Sequence, residues 1–449
     1  MPSSVAHRLA PFAKTALAVF IAAALPGLAA AQSLQELYDA ARGFDATYLA
    51  ARANAASAEF KAEQAYALGR PSAALTAGAS AGVNDSPSLP SAKTSTTVSG
   101  AVNGRYPLFN RANGATMDQA RKSLVSAQAD LDAAEQDLIL RVAQAYFEVL
   151  ASQDALSTTR ANKAAITEQL ASAKRNFEVG TATITDAREA QAKFDQASAQ
   201  EIAAENDLRT KRVNLDTLVG RSNVQPKPLL TPVVLPAPMP ANPEEWVTVA
   251  DQQHPAVRRA RVGLEVAQLE IQKARAGTLP TVDAVASVSG SDARGQLPNY
   301  SRSAGTSTAG SVGVQLNWTL FSGGAVQNRI KETLSLEEKS RQDVEAARRS
   351  VASGTRVAYF GVQSGLAQVK ALEAAESSSK LALEATQLGY KVGVRVNLDV
   401  LNAQTQLFST QRDLAKARYD VLVNTLRLRQ ASGQLAPTDV DAVNRLLAK

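Results

Sequence analysis

The chain reads as an α+β membrane protein built from one helix–strand–strand–helix–helix unit present twice, with strands that only an oligomer can close into a barrel. Three observations predict this. Matching residues recur at a nearly fixed offset, two pairs of short segments alternate polar and apolar residues, and the remaining stretches carry heptad ladders of Ala and Leu.

The repeat comes first. Asp45-Ala46 and His254-Pro255 each precede a helical stretch, ending at Pro71 and Pro280, at an offset of 209. Tyr106-Pro107-Leu108-Phe109 aligns with Trp318-Thr319-Leu320-Phe321 at 212. Ala145-Tyr146-Phe147 aligns with Ala358-Tyr359-Phe360, and Phe177-Glu178-Val179-Gly180 with Tyr390-Lys391-Val392-Gly393, both at 213. Gly220 and Gly433 keep the last offset. A unit this long is a duplicated half, not a solenoid repeat. The copies cover residues 32–220 and 244–433. Between them, residues 221–243 hold seven prolines from Pro226 to Pro243 and should form an extended, non-helical linker. Residues 434–449 remain as a C-terminal tail.

In the first copy residues 34–68 are Ala-rich and helical, stopped by Gly69 and Pro71. Strands are expected over 72–83 and 94–109, around a loop with Pro87 and Pro90. Helix resumes over 112–178, Gly180 breaks it, and a last helix runs over 186–218. The second copy repeats this with helices near 244–277, 324–390 and 398–432 and strands at 281–290 and 308–321. A helix of that longest kind spans about 100 Å at ~1.5 Å per residue, and the two shorter ones of each copy together match it.

Val312, Val314, Leu316, Trp318 and Leu320 alternate with Ser311, Gly313, Gln315, Asn317 and Thr319. Val98, Val102, Tyr106 and Leu108 do the same against Ser99, Asn103 and Arg105. Such a period fits a half-buried soluble strand or a membrane strand with lipid outside and water inside. Strand length, the aromatics Tyr106, Phe109, Trp318 and Phe321 at the strand–helix junctions, and polar loops at 84–93 and 291–307 favour the membrane. The smallest membrane barrels have about eight strands, and an open edge in lipid leaves backbone groups unpaired. Four strands per chain therefore require association.

The long helices carry their own seams. Val400, Leu407, Leu414, Val421 and Leu428 fall every seventh residue. Ala120, Leu124, Ala127, Leu131, Ala134 and Leu138 alternate spacings of four and three. Both indicate coiled-coil-like packing.

Composition narrows the function. Arg8 and Lys14, an apolar run to Leu25 and Ala29-Ala30-Ala31 fit a signal peptide over residues 1–31, with the mature chain starting at Gln32. Without it, 46 basic residues face 42 acidic ones, too even a balance to suggest nucleic acid. No later run is apolar enough for a membrane helix. The absence of Cys excludes disulfides, thiol catalysis and cysteine metal sites. Gly78-Ala79-Ser80-Ala81-Gly82 fits the G-x-S-x-G pattern of hydrolases, but a polar loop and a strand follow it where that motif needs a helix. His254, the single His after the signal, sits at a helix entry. No catalytic residues, metal site or cofactor are expected.

Over the whole mature chain these residues resemble the TolC family of outer-membrane channels. The likeness rests on Tyr106 to Phe109, Trp318 to Gly324, Phe177-Glu178-Val179-Gly180 with Ile184-Thr185-Asp186, and most specifically Tyr390 to Arg395, Asp399-Val400-Leu401-Asn402-Ala403 and Ala417-Arg418-Tyr419. The resemblance implies a homotrimer in the outer membrane with a large periplasmic portion: a twelve-stranded β-barrel continuing into a twelve-helix α-barrel. It implies export driven by an inner-membrane ABC or RND transporter through a periplasmic adaptor protein, for type I protein secretion or drug efflux. It further implies a periplasmic gate at Thr185, Asp186, Tyr390 and Arg395, with an acidic ring at Asp399. The second acidic ring of the family falls here on Asn402. Val179-Gly180-Thr181 and Val392-Gly393-Val394 match the adaptor-contact tips. The competing reading is a soluble periplasmic coiled-coil adaptor or scaffold, which needs no amphipathic strands.

Overall fold

The computed structural model describes residues 31–84, 93–230, 232–295 and 305–448. The expected signal peptide lies outside these residues up to Ala30, as do the centres of both strand-connecting loops.

In the first copy the chain forms α1 (Leu34–Phe44), α2 (Ala46–Tyr66), a 3₁₀ turn, β1 (Ser72–Asn84), β2 (Lys93–Phe109), α3 (Arg111–Glu178) and α4 (Ile184–Val219). The second forms α5 (Pro243–Gln253), α6 (Pro255–Ala276), β3 (Thr281–Gly295), β4 (Gly305–Asn317), α7 (Ala325–Lys391) and α8 (Asn397–Ala431). α3 has 68 residues and α7 has 67, so each is about 100 Å long.

Two helices expected to be continuous are broken at equivalent places. At Asp45 and His254 the backbone leaves the helical region, with ψ of 116° and 128°. Each side chain caps the next helix. Asp45 Oδ1 accepts from the Tyr48 amide at 2.8 Å, and His254 Nδ1 accepts from the Ala256 amide at 3.1 Å. The residues before α1 and α5, Ser33 and Asn242, cap in the same way. The C-terminal tail contains one further helix, α9 (Pro437–Asn444), which starts on a proline at its first position.

The strands form one antiparallel sheet in the order β1-β2-β3-β4, so the two copies join through β2 and β3. β3 runs five residues past the expected end, to Gly295, because it pairs with β2 down to Ser95. β4 stops at Asn317, short of the expected Phe321. Its partner Thr281 is the first residue of β3, and Pro280 before it offers no N–H. Trp318 to Gly324 thus lead out of the sheet.

The helices stand side by side, with α2 and α4 on α3, α3 on α6 and α8, and these on α7. Their largest core lies at mid-height, where α1, α4, α8 and α9 surround the middle of α3. Tyr146 and Phe147 are fully buried there, and Phe147 stacks on Tyr419 with ring centroids 5.8 Å apart. The linker crosses this level. Pro226 bridges Gln32, Leu229 bridges Leu447, and the Tyr146 hydroxyl donates to the Lys227 carbonyl at 2.9 Å.

Candidate functional site: a two-faced sheet and two helix tips

Register decides which side chains share a face of the sheet. Leu75 lies opposite Val102, Val102 opposite Val288, and Ala286 opposite Val312. Following the period of two, Leu75, Val98, Val102, Tyr106, Val282, Val288, Val312, Val314 and Leu316 all lie on one face. The other face carries Ser72, Thr76, Ser80, Ser99, Asn103, Ser287, Ser291, Ser307, Ser311 and Gln315. Ser287 and Ser311 join hydroxyls at 2.8 Å, as do Ser291 and Ser307. The apolar face is uncovered: Leu75, Val312 and Val314 are 76%, 89% and 69% exposed. A soluble sheet buries that face. Here four strands present it outward together, while β1 and β4 each leave one edge unpaired within the chain.

The expected interface aromatics sit at the helix-side end of this sheet, all exposed. Tyr106 is on the apolar face by register. Phe109 has the wrong parity, but a bulge between Pro107 and Phe109 sets it opposite Val282 and brings it to the same face. Trp318 and Phe321 lie just past β4, and the Trp318 indole N–H donates to the Thr278 carbonyl at 3.1 Å. An amphipathic ring with its polar edge satisfied suits a bilayer interface.

At the far end of the helices, two equivalent turns close the hairpins. Gly180 and Gly393 have φ of 78° and 81°, which lets amides three residues past each helix return to its last carbonyls. The Thr181 amide donates to the Asn176 carbonyl at 2.8 Å, and the Val394 amide to the Gly389 carbonyl at 2.9 Å. Around them Val179, Val392 and Val394 are 72%, 65% and 75% exposed, so the tips end in uncovered valines.

The expected gate residues are only partly brought together within one chain. Asp186 is engaged by its own helix start: its Oδ2 accepts from the Thr183 hydroxyl at 2.7 Å and the Thr183 amide at 3.0 Å. Thr185 is exposed beside it. Tyr390 does not reach Asp186; its hydroxyl accepts from Asn176 Nδ2 at 3.3 Å. Arg395, in the tip turn, faces Asp399 in the first turn of α8 at 3.6 Å, and Asn402 is exposed. Nothing in the chain ties Arg395 to Thr185 or Asp186. Sequence reading missed Asn176, Gln169 and Asn162, which fall every seventh residue along α3. Gln169 bonds Asn397, and Asn162 and Asn397 are 7% and 2% exposed. The signal was present as polar residues at heptad spacing.

The sequence profile described as outer membrane efflux protein matches residues 37–221 and 246–434, one block in each copy. Outer membrane protein TolC of Vibrio cholerae is 34% identical over 440 residues, covering 96% of this chain and 98% of that protein. The alkaline protease secretion protein AprF of Pseudomonas aeruginosa is 34% identical over 319 residues, covering 69% of this chain and 64% of its own length. The crystal structure of the Campylobacter jejuni CmeC outer membrane channel superimposes with a TM-score of 0.75 at 16% identity, covering 92% of this chain and 90% of that one. Two matched blocks, a likeness that runs nearly the full length of a relative, and the same architecture at low identity converge: the chain belongs to the outer membrane efflux protein family.

Proposed function

We propose that the chain is one protomer of a homotrimeric outer-membrane channel that exports cargo across the periplasm and outer membrane. The observation that carries this reading is the common register of the four strands. It gives one apolar face, one hydroxyl-lined face and two free edges, while every strand continues into a helix at the same end. Joining β1 of one copy to β4 of the next removes the edges, and the helices then prolong the wall into the periplasm. Family membership supports three copies, hence twelve strands and a helical tunnel. A soluble adaptor has no use for an uncovered Val-rich sheet face, and no observation favours that alternative.

A passive channel needs an energised transporter. An inner-membrane ABC or RND transporter and a periplasmic adaptor fill that role, the adaptor seating on Val179-Gly180-Thr181 and Val392-Gly393-Val394. AprF is a protease secretion protein by name, which favours type I protein secretion for this chain, alongside efflux. No chemistry is assigned to the protein beyond transport.

The gate is held in two ways. Within a chain, Asn176 and Tyr390 pin one hairpin to the other. Between chains, Arg395 reaches the exposed Thr185 and the half-buried Asp186 of a neighbour, where a guanidinium bonds a carboxylate well. Asp399 faces the axis and favours cations, with Asn402 leaving that ring single. In planar bilayers the purified protein should form channels, and Arg395→Ser with Tyr390→Phe should raise their conductance about three-fold or more. Absence of channels, or extraction of the protein from membranes by mild aqueous washes, sinks the reading.

A further inference from the structure

Among the described residues, the hydroxyl-lined face of the sheet carries one ion pair. Along β1 from Ser72, β2 from Ser95 to Pro107, β3 from Thr281 to Ala293, and β4, the residues of that parity are Ser, Thr, Ala, Gly, Asn, Gln, Pro and Val, with Arg105 and Asp283 as the exceptions. The two sit diagonally on neighbouring strands, Arg105 opposite Val285 and Asp283 opposite Pro107. Arg105 Nη2 lies 2.7 Å from Asp283 Oδ2. Their exposures are very unequal: the Arg105 side chain is 60% exposed and that of Asp283 is 8%. The second carboxylate oxygen, Oδ1, is buried and has no partner. Of its two oxygens, the one bonded within the described residues is the one that meets the guanidinium.

We propose that Asp283 masks Arg105, and that the pair sets charge preference where the barrel meets the helical tunnel. This rests on the reading of the hydroxyl face as a water-filled lumen. The pair turns its positive end to that lumen, so in each copy a partly neutralised guanidinium meets passing carboxylates and phosphates. It stands in series with Asp399 at the other end of the path, which has the opposite sign. Asp283 tunes its strength: with the carboxylate intact the preference for anions is mild, and without it a full cation faces the water in every copy.

The absence of cysteine gives a clean test. Asn103→Cys places a single thiol on the same face as Arg105, two residues along the strand. In trimers reconstituted in liposomes, its modification rate is measured with an anionic and a cationic methanethiosulfonate reagent, in the parent and with Asp283→Asn, Arg105→Gln or both. Asp283→Asn should raise the anionic-to-cationic rate ratio about two-fold at 0.15 M salt, where the Debye length is ~8 Å, and the change should vanish near 1 M. Arg105→Gln should lower the ratio, and the double variant should fall between the two. A thiol that neither reagent reaches defeats the lumen reading itself. A reactive thiol whose ratio stays fixed across the variants, or moves the same way for both single changes, overturns the masking proposal. If only Arg105→Gln yields assembled protein, its ratio alone decides. If no variant assembles beside an assembling parent, the pair is structural and the proposal is overturned.

Discussion

Asp45 and His254 occupy the same place in the two copies and do the same local work with different chemistry. Asp45 also meets Arg141 through both carboxylate oxygens, at 2.9 and 3.0 Å. The hydrogen bond from Arg141 is the main reason its carboxyl titrates below the usual range. Its folded pKa is thus below the unfolded value of about 3.9, so its contribution is complete above that value and is lost as pH falls through the folded one. Asp45→Asn keeps the cap and loses the ion pair, and should lower stability by about 2 kcal/mol at neutral pH, allowing for the partial exposure of Arg141. In circular-dichroism melts the gap to the parent should close as the pH is taken below about 4. For His254, burial lowers the pKa from its ordinary value. The unfolded chain takes up a proton near pH 6.5 while the fold resists it, so stability falls as pH drops below about 6.5, down to the folded value. His254→Asn retains a capping oxygen without the proton and should flatten the melting temperature between about pH 7 and pH 5. Sequence reading placed His254 at a helix entry, correctly. It nonetheless ran residues 34–68 and 244–277 together as single helical stretches, because a cap in mid-stretch looks like a tolerated polar residue until the backbone turn is seen.

At the scale of elements, each copy ends on a glycine that lies against the preceding helix break. Gly220 ends α4 with φ of 71°, and an added Cβ would sit 2.4 Å from the Phe44 ring. Gly433 follows α8 with φ of 74°, and its Cβ would come within 2.6 Å of the His254 backbone. A ring can swing aside, whereas backbone cannot. Gly433→Ala should therefore lower stability by about 2 kcal/mol or more, and Gly220→Ala by less, measured side by side as melting temperatures. Much at this scale was legible. Strand alternation, the seven-residue ladder of α8 and the constant offset each report a periodic structure, and all five ladder residues from Val400 to Leu428 are buried. Two kinds of feature were not legible. The end of β4 is set by its partner, since β3 begins only after Pro280 and Trp318 has no strand residue to pair with. The bulge that re-aims Phe109 reverses the parity on which a strand reading depends. Both are non-local, and a single sequence records only local preference.

Across the whole molecule the two copies are alike in backbone but not in burial. Phe147 is 1% exposed, whereas its counterpart Phe360 is 53% exposed. Phe147 lies inside the wall of one chain, and Phe360 on α7, its outermost helix. On the opposite flank, Phe60 of α2 and Ile202 of α4 are 66% and 69% exposed. These flanks continue the free edges of β4 and β1. Two different surfaces that meet copy to copy make a head-to-tail contact, the kind that the proposed ring requires. The expected outcome is specific. A cysteine in β1 and one in β4 should cross-link neighbouring chains only when both are present, as a ladder ending at the trimer on denaturing gels. Cross-linking by either cysteine alone would indicate a two-fold contact and exclude the ring. The gate was legible only in part for a related reason: Arg395 and Asp186 do not meet within one chain, and the contact proposed for them spans two copies.

At mid-height the linker holds both ends of the described residues. Gln32 and Leu447, close to the two ends of the folded chain, both bridge the segment that joins the copies. Beginning, middle and end meet on one belt, so the fold is cyclic in all but its covalent bonds. Joining the ends and opening the belt between the copies would put the second copy first, with every strand and helix keeping its neighbours. A chain permuted in this way should therefore fold with the same sheet order, read as an unchanged circular-dichroism spectrum and melting temperature.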